Sequence, residues 1–190
     1  MRRFPLAFLL VGVMGLLAAG GAVLGAFEAP TGTALEVHNG AGETLQASRV
    51  IGTYTTSQLS GTVISFNFVA PDHVTEEAIS PKGKVEGRRD LTGPAASNLL
   101  GPVRQLLGIH KFSANGSYYA ADQSASVLVP AYERSAVTGT YDTRVEIQGG
   151  YVVAIYLDIN ADLTSHGARQ HVAETVRYRL SRVDGWTRAK

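Results

Sequence analysis

The sequence predicts an α+β domain: a single curved antiparallel β-sheet, a half-barrel, with short helices covering its concave face. Three observations predict it. Apolar and polar residues alternate with a period of two in several stretches from residue 62 onward. The pair Gly149-Gly150 separates two of these stretches. One apolar segment of helical spacing, residues 98–112, interrupts them. Period two marks half-buried strands, and short glycine turns join such strands antiparallel.

The first clear strand is "TVISFNFV" (62–69), in which Ile64, Phe66 and Phe68 point one way and Val63, Ser65 and Asn67 the other. Pro71-Asp72 ends it, and "VTEEAIS" continues extended to Pro81. "SYYAAD" and "ASVLVP" read as two further short strands, with Gly116 forming the turn before the first. In "TYDTRVEIQGGYVVAIYLDIN", a two-residue loop would set Val145 and Ile147 on the face of Val152 and Ala154. It would leave Val153, Ile155, Leu157 and Ile159 with Asp142, Arg144 and Glu146. A three-residue loop instead gathers the hydrophobes on one side, and that is the register expected. "AETVRYRLSRV" closes the sheet, with Val176, Tyr178 and Leu180 alternating against Arg177, Arg179 and Arg182.

Two segments read as helical. In residues 34–48, Ala41, Leu45 and Ser48 fall at helical spacing despite three poor helix formers, Asn39, Gly40 and Gly42. In "NLLGPVRQLLGIHKF" (98–112), Pro94 and Pro102 suit first-turn positions, which predicts two short helices broken at Gly101-Pro102 and ended by Gly108. On a helical projection Leu99, Leu100, Val103, Leu106 and Leu107 form one stripe, with Arg104 and Gln105 opposite. That stripe is expected to face the layer made by Ile64, Phe66 and Phe68.

The N-terminal segment carries the localisation. Arg2 and Arg3 precede a run with no charge from Phe4 to Phe27. A membrane span needs about 20 apolar residues and a secretory core only about 7–15, so the run satisfies either. Residues 1–27 are therefore expected to be a signal peptide or an N-terminal membrane anchor, 28–33 a linker, and 34–190 an extracytoplasmic domain at the cell envelope, anchored or secreted. The two arginines stay on the cytoplasmic side.

The chain has 17 Lys+Arg against 16 Asp+Glu, a net charge of +1, so no nucleic-acid footprint is expected. The basic run "KGKVEGRR" (82–89) lacks an aromatic stacker and reads as a solvated turn. There are no cysteines, which excludes disulfides and thiolate metal sites.

Motifs that would carry chemistry fail one by one. His166 and His171 are five apart and read as loop residues rather than as metal ligands. "DINADLTSHGAR" begins like a calcium loop at Asp158, Asn160 and Asp162, but has Leu163 at the turn position and Arg169 at the twelfth. No G-x-S-x-G, P-loop or dinucleotide glycine pattern occurs. Asp72-His73 is explained by a turn, and Asn115-Gly116-Ser117 is too short a pattern to weigh. The expectation is a protein with no catalytic residues, no metal and no cofactor, and not an enzyme.

The order of features resembles a known family. An apolar N-terminus is followed by a helix, then by an aromatic strand ending in Pro-Asp ("FNFVAPDHV"), an extended run to a second proline, an apolar helix pair and a closing run of strands. This resembles the bacterial lipoprotein-carrier superfamily, which includes LolA and the lipid-binding lipoproteins LprG and LppX. The resemblance covers residues 34–186 and implies a strongly curved sheet with helices plugging its concave side and acyl chains held between. The chain departs from the lipoprotein members in having no lipobox cysteine, so any attachment rests on residues 4–27. The resemblance thus implies a carrier of lipid or another apolar ligand, with Ile64, Phe66, Phe68, Leu99, Leu100, Val103, Leu106 and Leu107 lining its cavity. The alternative is a membrane-anchored interaction or assembly subunit, with a solid core and a protein partner at the envelope.

Overall fold

A computed structural model describes residues 29–47, 49–70, 72–124, 135–165 and 168–181. The expected leader or anchor at 1–27 and the strand expected at 125–130 lie outside the described residues. Among the described residues, no helix is long and apolar enough to cross a membrane.

Helix α1 (Gly32–Leu45) starts inside the expected linker and takes its last two residues. Its buried side is Ala34, Val37, Gly40, Ala41 and Thr44, while Leu45 is only partly buried and Leu35 is exposed. The stripe is built from small residues, which lets the helix backbone approach the sheet closely. A β-carbon added at Gly40 would stand 3.1 Å from Ile147 Cδ1. Thr44 fastens the contact: its hydroxyl donates to the Gly40 carbonyl at 2.8 Å and accepts the Val152 amide at 3.0 Å.

Among the described residues nine strands follow: β1 (Val50–Thr56), β2 (Val63–Ala70), β3 (His73–Ile79), β4 (Val85–Thr92), β5 (Ser113–Asn115), β6 (Tyr118–Ser124), β7 (Ser135–Gln148), β8 (Tyr151–Ser165) and β9 (Ala168–Ser181). They form one open antiparallel sheet in the order β4-β3-β2-β1-β9-β8-β7-β6-β5. Two meanders, β1 to β4 and β5 to β9, meet where β1 pairs with β9.

Residues 82–89 are not one solvated turn, since only the first few make the turn and the rest form the edge strand β4. Charges on an edge strand are ordinary, because they discourage pairing with a further chain. His171 is likewise on strand β9, opposite Asp162, rather than in a loop. Asp158, Asn160 and Asp162 lie along β8.

The β7–β8 hairpin reaches the expected grouping only in part, with Val152 buried in place of Val153, and by a two-residue rather than a three-residue loop. Its loop has two residues, since Gln148 pairs with Tyr151, and Gly149 (φ 59°) and Gly150 (φ 82°) are both left-handed. Two left-handed residues give the turn whose twist matches the strands. The side switch comes next: Ile147 pairs with Val152 but Glu146 with Ala154, leaving Val153 as the extra residue of a bulge. Val145, Val152, Ile155, Leu157 and Ile159 are thereby buried in one core.

β4 and β5 are the two edges of the sheet yet consecutive in sequence, so residues 93–112 must carry the chain from one edge to the other. Eight strand spacings of ~4.8 Å make ~38 Å. Fifteen helical residues at ~1.5–2 Å each, with a few extended ones, reach about that far. The segment consists of α2 (Pro94–Ser97), a 3-10 turn (Asn98–Leu100), α3 (Gly101–Gln105) and a second 3-10 turn (Leu106–Gly108). α2 contacts β3 and β4, and α3 contacts β8 and α1.

The expected break at Gly101-Pro102 is displaced. Gly101 is helical (φ −52°, ψ −48°) and Pro102 occupies the first turn of α3, where its missing N–H is not needed. The irregular residue is Leu100 (φ −91°, ψ 11°). Gly108 does end the helical backbone.

Leu99, Leu100, Val103 and Leu106 are buried, but Leu107 is 40% exposed and does not belong to the stripe. A 3-10 residue advances ~120° rather than ~100°. Two such turns carry Leu107 round towards Arg104. Leu107→Trp is therefore expected to shift stability by no more than about 0.5 kcal/mol, as at other surface sites. Leu106→Trp should cost about 1–3 kcal/mol through overpacking. Thermal melting of the two variants side by side checks this.

Candidate functional site

The inner face of the sheet is the side on which Ile64, Phe66 and Phe68 lie, and its rows follow from the register. Across β4, β3, β2 and β1, one row reads Arg89, Glu76, Phe66 and Gly52. The next row reads Gly87, Ala78, Ile64 and Tyr54, then Tyr178, Ile155 and Val145 on β9, β8 and β7. Ile64, Phe66, Phe68, Leu99, Leu100, Val103 and Leu106 belong to one core, so the structure brings together seven of the eight residues expected to line the cavity. Phe66 stands edge-on to Phe68, with ring centroids 5.9 Å apart, and 6.4 Å from the Tyr178 ring.

Sequence reasoning missed the polar part of this face. Glu76 is 3% exposed and is held by Arg89, whose Nε donates to Oε1 at 2.9 Å and Nη2 to Oε2 at 3.1 Å. Tyr54 stacks on Tyr178 with centroids 5.1 Å apart and planes 18° from parallel. Thr56 and Glu174 continue the same face towards the end of β1, and Thr143 sits in the Thr56 row, beyond Val176 and Leu157.

Tyr54 Oη and Thr143 Oγ1 are buried without a hydrogen-bond partner, and Thr56 Oγ1 and Glu174 Oε1, although their side chains act on each other, make no bond of ordinary geometry. A buried polar atom left unpaired costs free energy, and in native proteins such atoms are usually completed by water or a ligand.

Electrostatics agree with an interior of low polarity. Burial, with the charges of Glu76 and Glu174, pushes the Tyr178 hydroxyl well above its ordinary range. Burial does the same to Tyr54, with Tyr178, Glu76 and Glu174 adding to the shift and Arg89 opposing it. Tyr141 is pushed up to about 12 by burial. Burial also raises Glu174, against the opposing effect of the Thr56 hydroxyl.

No family model matches the chain, and no curated protein matches it.

The outer face carries most of the paired charges. Tyr156 lies between Arg144, 5.6 Å from its ring, and Arg179, which donates to its hydroxyl at 3.5 Å. Asp122, Asp142 and Asp158 stand in one row across β6, β7 and β8, and Asp142 is raised by burial and by the Asp122 carboxyl. Among the described residues, no group of three or more His, Asp or Glu is placed to hold a metal ion.

Glu174 gives a pH prediction. Its folded pKa is raised above the ordinary 4.5, so the folded state holds its proton longer than the unfolded state. Stability should then fall as pH rises from about that ordinary value through the raised one. Glu174→Gln is expected to flatten this fall, read as melting temperature against pH. Asp142 is shifted in the same direction, so part of the slope remains in the variant.

Proposed function

We propose that the chain is an exported or membrane-anchored, non-enzymatic binder or carrier of lipid or another apolar ligand. The ligand lies between the inner face of the sheet and the helical segment 94–108. In this reading the sheet curls as a half-barrel, its concave side towards the helices, as in the lipoprotein-carrier superfamily that the sequence resembles. One observation carries the proposal. The apolar core that the sheet shares with this helical segment also holds buried polar atoms without a hydrogen bond of ordinary geometry. Ligand sites are largely apolar with a few oriented polar groups, and this face has that composition.

Crossing supports it too: the segment runs from one edge of the sheet to the other and makes four short helical pieces of it rather than one rigid helix. Short pieces joined at irregular residues such as Leu100 can shift without unfolding the sheet.

A specific observation favours the second reading, a solid-core interaction subunit. The seven buried candidate residues are only 0–6% exposed, and the Phe66 ring occupies the space over Gly52. Photo-crosslinking separates the two. The 190-residue chain is placed in phosphatidylcholine vesicles with a diazirine-bearing acyl probe, and labelled peptides are mapped by mass spectrometry. A carrier is labelled within 62–70 or 98–112. Labelling confined to residues 4–27, in the membrane, would make the domain a solid-core subunit.

A further inference from the structure

The polar groups on the inner face restrict what head the ligand can carry. We infer that Tyr54, Thr56 and Glu174 form a subsite for an uncharged, hydrogen-bonding head group, a hydroxyl, ester or amide attached to an acyl chain, and not for an anionic or a cationic one. This rests on the carrier reading and goes a step further, to the chemical class of the ligand.

Geometry gathers the subsite at the seam of the two meanders. Tyr54 and Tyr178 face each other across β1 and β9, Thr56 pairs with Val176, and Glu174 is the next inner residue along β9. Tyr54, Thr56 and Glu174 are 3%, 6% and 7% exposed; Tyr54 Oη has no hydrogen-bond partner, and Thr56 Oγ1 and Glu174 Oε1, whose side chains act on each other, make no bond of ordinary geometry. Hydroxyls can donate or accept, and a protonated carboxyl can do both. A neutral hydroxyl can donate to one such oxygen and accept from another, and a carbonyl can accept from the Tyr54 hydroxyl. The surroundings are otherwise apolar, with Ile64, Val176 and Leu157 in the same core, which suits an acyl chain rather than a second polar group.

Charge decides against the other heads. The charged groups that act on Tyr54 are Glu76, Arg89 and Glu174. Arg89 is the one cation among them, and its Nε and Nη2 are already engaged by the two oxygens of Glu76. An anionic head would thus find no free cation, and would meet the carboxyl of Glu174. A cationic head would have Glu174 to pair with, but burial favours the neutral form of that carboxyl, and Arg89 adds repulsion. Burying an unpaired charge is far more costly than burying a hydrogen-bonded neutral group.

The test uses the full chain in phosphatidylcholine vesicles with three photoactivatable probes that share one diazirine-bearing acyl chain. Their heads are a glycerol ester, a sulfonate that is anionic at every pH used, and a trimethylammonium. The glycerol ester should label peptides of β1, β9 or segment 98–112 at least about tenfold more than either charged probe. Tyr54→Phe should cut that labelling several-fold without lowering the melting temperature, since the hydroxyl it removes has no protein partner. Equal or stronger labelling of the same peptides by the sulfonate or the ammonium would overturn the head-group inference and leave the carrier reading standing. Unchanged labelling of Tyr54→Phe would also overturn it. Labelling within 62–70 alone would overturn the head-group inference only, and no labelling of these peptides or of 62–70 by any probe would overturn both.

Discussion

Replacing Arg89 with Met is expected to destabilise the chain by about 3–5 kcal/mol, the range for leaving one member of a buried ion pair without the other. Glu76 is 3% exposed on the same row as Phe66, so its carboxylate cannot reach water when the guanidinium is gone. Both oxygens of Glu76 are bonded by Arg89, at 2.9 and 3.1 Å, so both lose a partner. The Arg89 side chain keeps some contact with solvent, being 29% exposed, which places the cost nearer the lower end. The double variant Glu76→Leu with Arg89→Met should recover most of the loss, because an apolar pair of similar volume suits this position. Denaturant unfolding of the wild type, the single and the double variants measures the cycle. A single-variant cost under about 1 kcal/mol would mean that water reaches Glu76 and that the row is not closed.

The ion pair also shows what the sequence leaves hidden. β2 was legible because its inner residues, Ile64, Phe66 and Phe68, are all strong hydrophobes. β9 was legible because arginines alternate against Val176, Tyr178 and Leu180. β1 has the same alternation of burial, but its inner residues are Val50, Gly52, Tyr54 and Thr56, which do not read as an apolar face. It is nonetheless the strand that joins the two meanders and carries the hydroxyls of the site. In β4, charges hide the strand, and the partner of Glu76 could be found only by pairing residues 13 apart in sequence. One cue was present. Glu76 falls in phase with Val74 and Ala78, and a charge on an apolar face of a strand requires a partner. The helical segment was legible in its buried residues but not in its exact winding, since nothing in "NLLGPVRQLLG" marks which turns tighten to 3-10.

Gly52→Ala is expected to cost at least about 1–3 kcal/mol, although alanine at an unstrained strand position would ordinarily be neutral or favourable. A β-carbon at Gly52 would stand 2.3 Å from Phe66 Cζ, 2.6 Å from Cε2 and 2.9 Å from the Arg179 carbonyl oxygen. The ring has little room to retreat, because Phe66 is fully buried against Phe68 and Tyr178. The carbonyl belongs to β9, whose pairing with β1 fixes it. Phe66→Leu removes the two ring contacts but not the backbone one. Combined with Gly52→Ala, it should recover part of the loss, giving a coupling of about 0.5–3 kcal/mol between the two positions. The consequence extends to the site, because a displaced Phe66 presses on Tyr178 and through it on the stacked Tyr54. Gly52→Ala should therefore weaken acyl-probe labelling as well as stability, and Phe66→Leu added to it should restore some of both. A Gly52→Ala chain that melts and labels like the wild type, whatever stands at 66, would show that the ring does not close over β1.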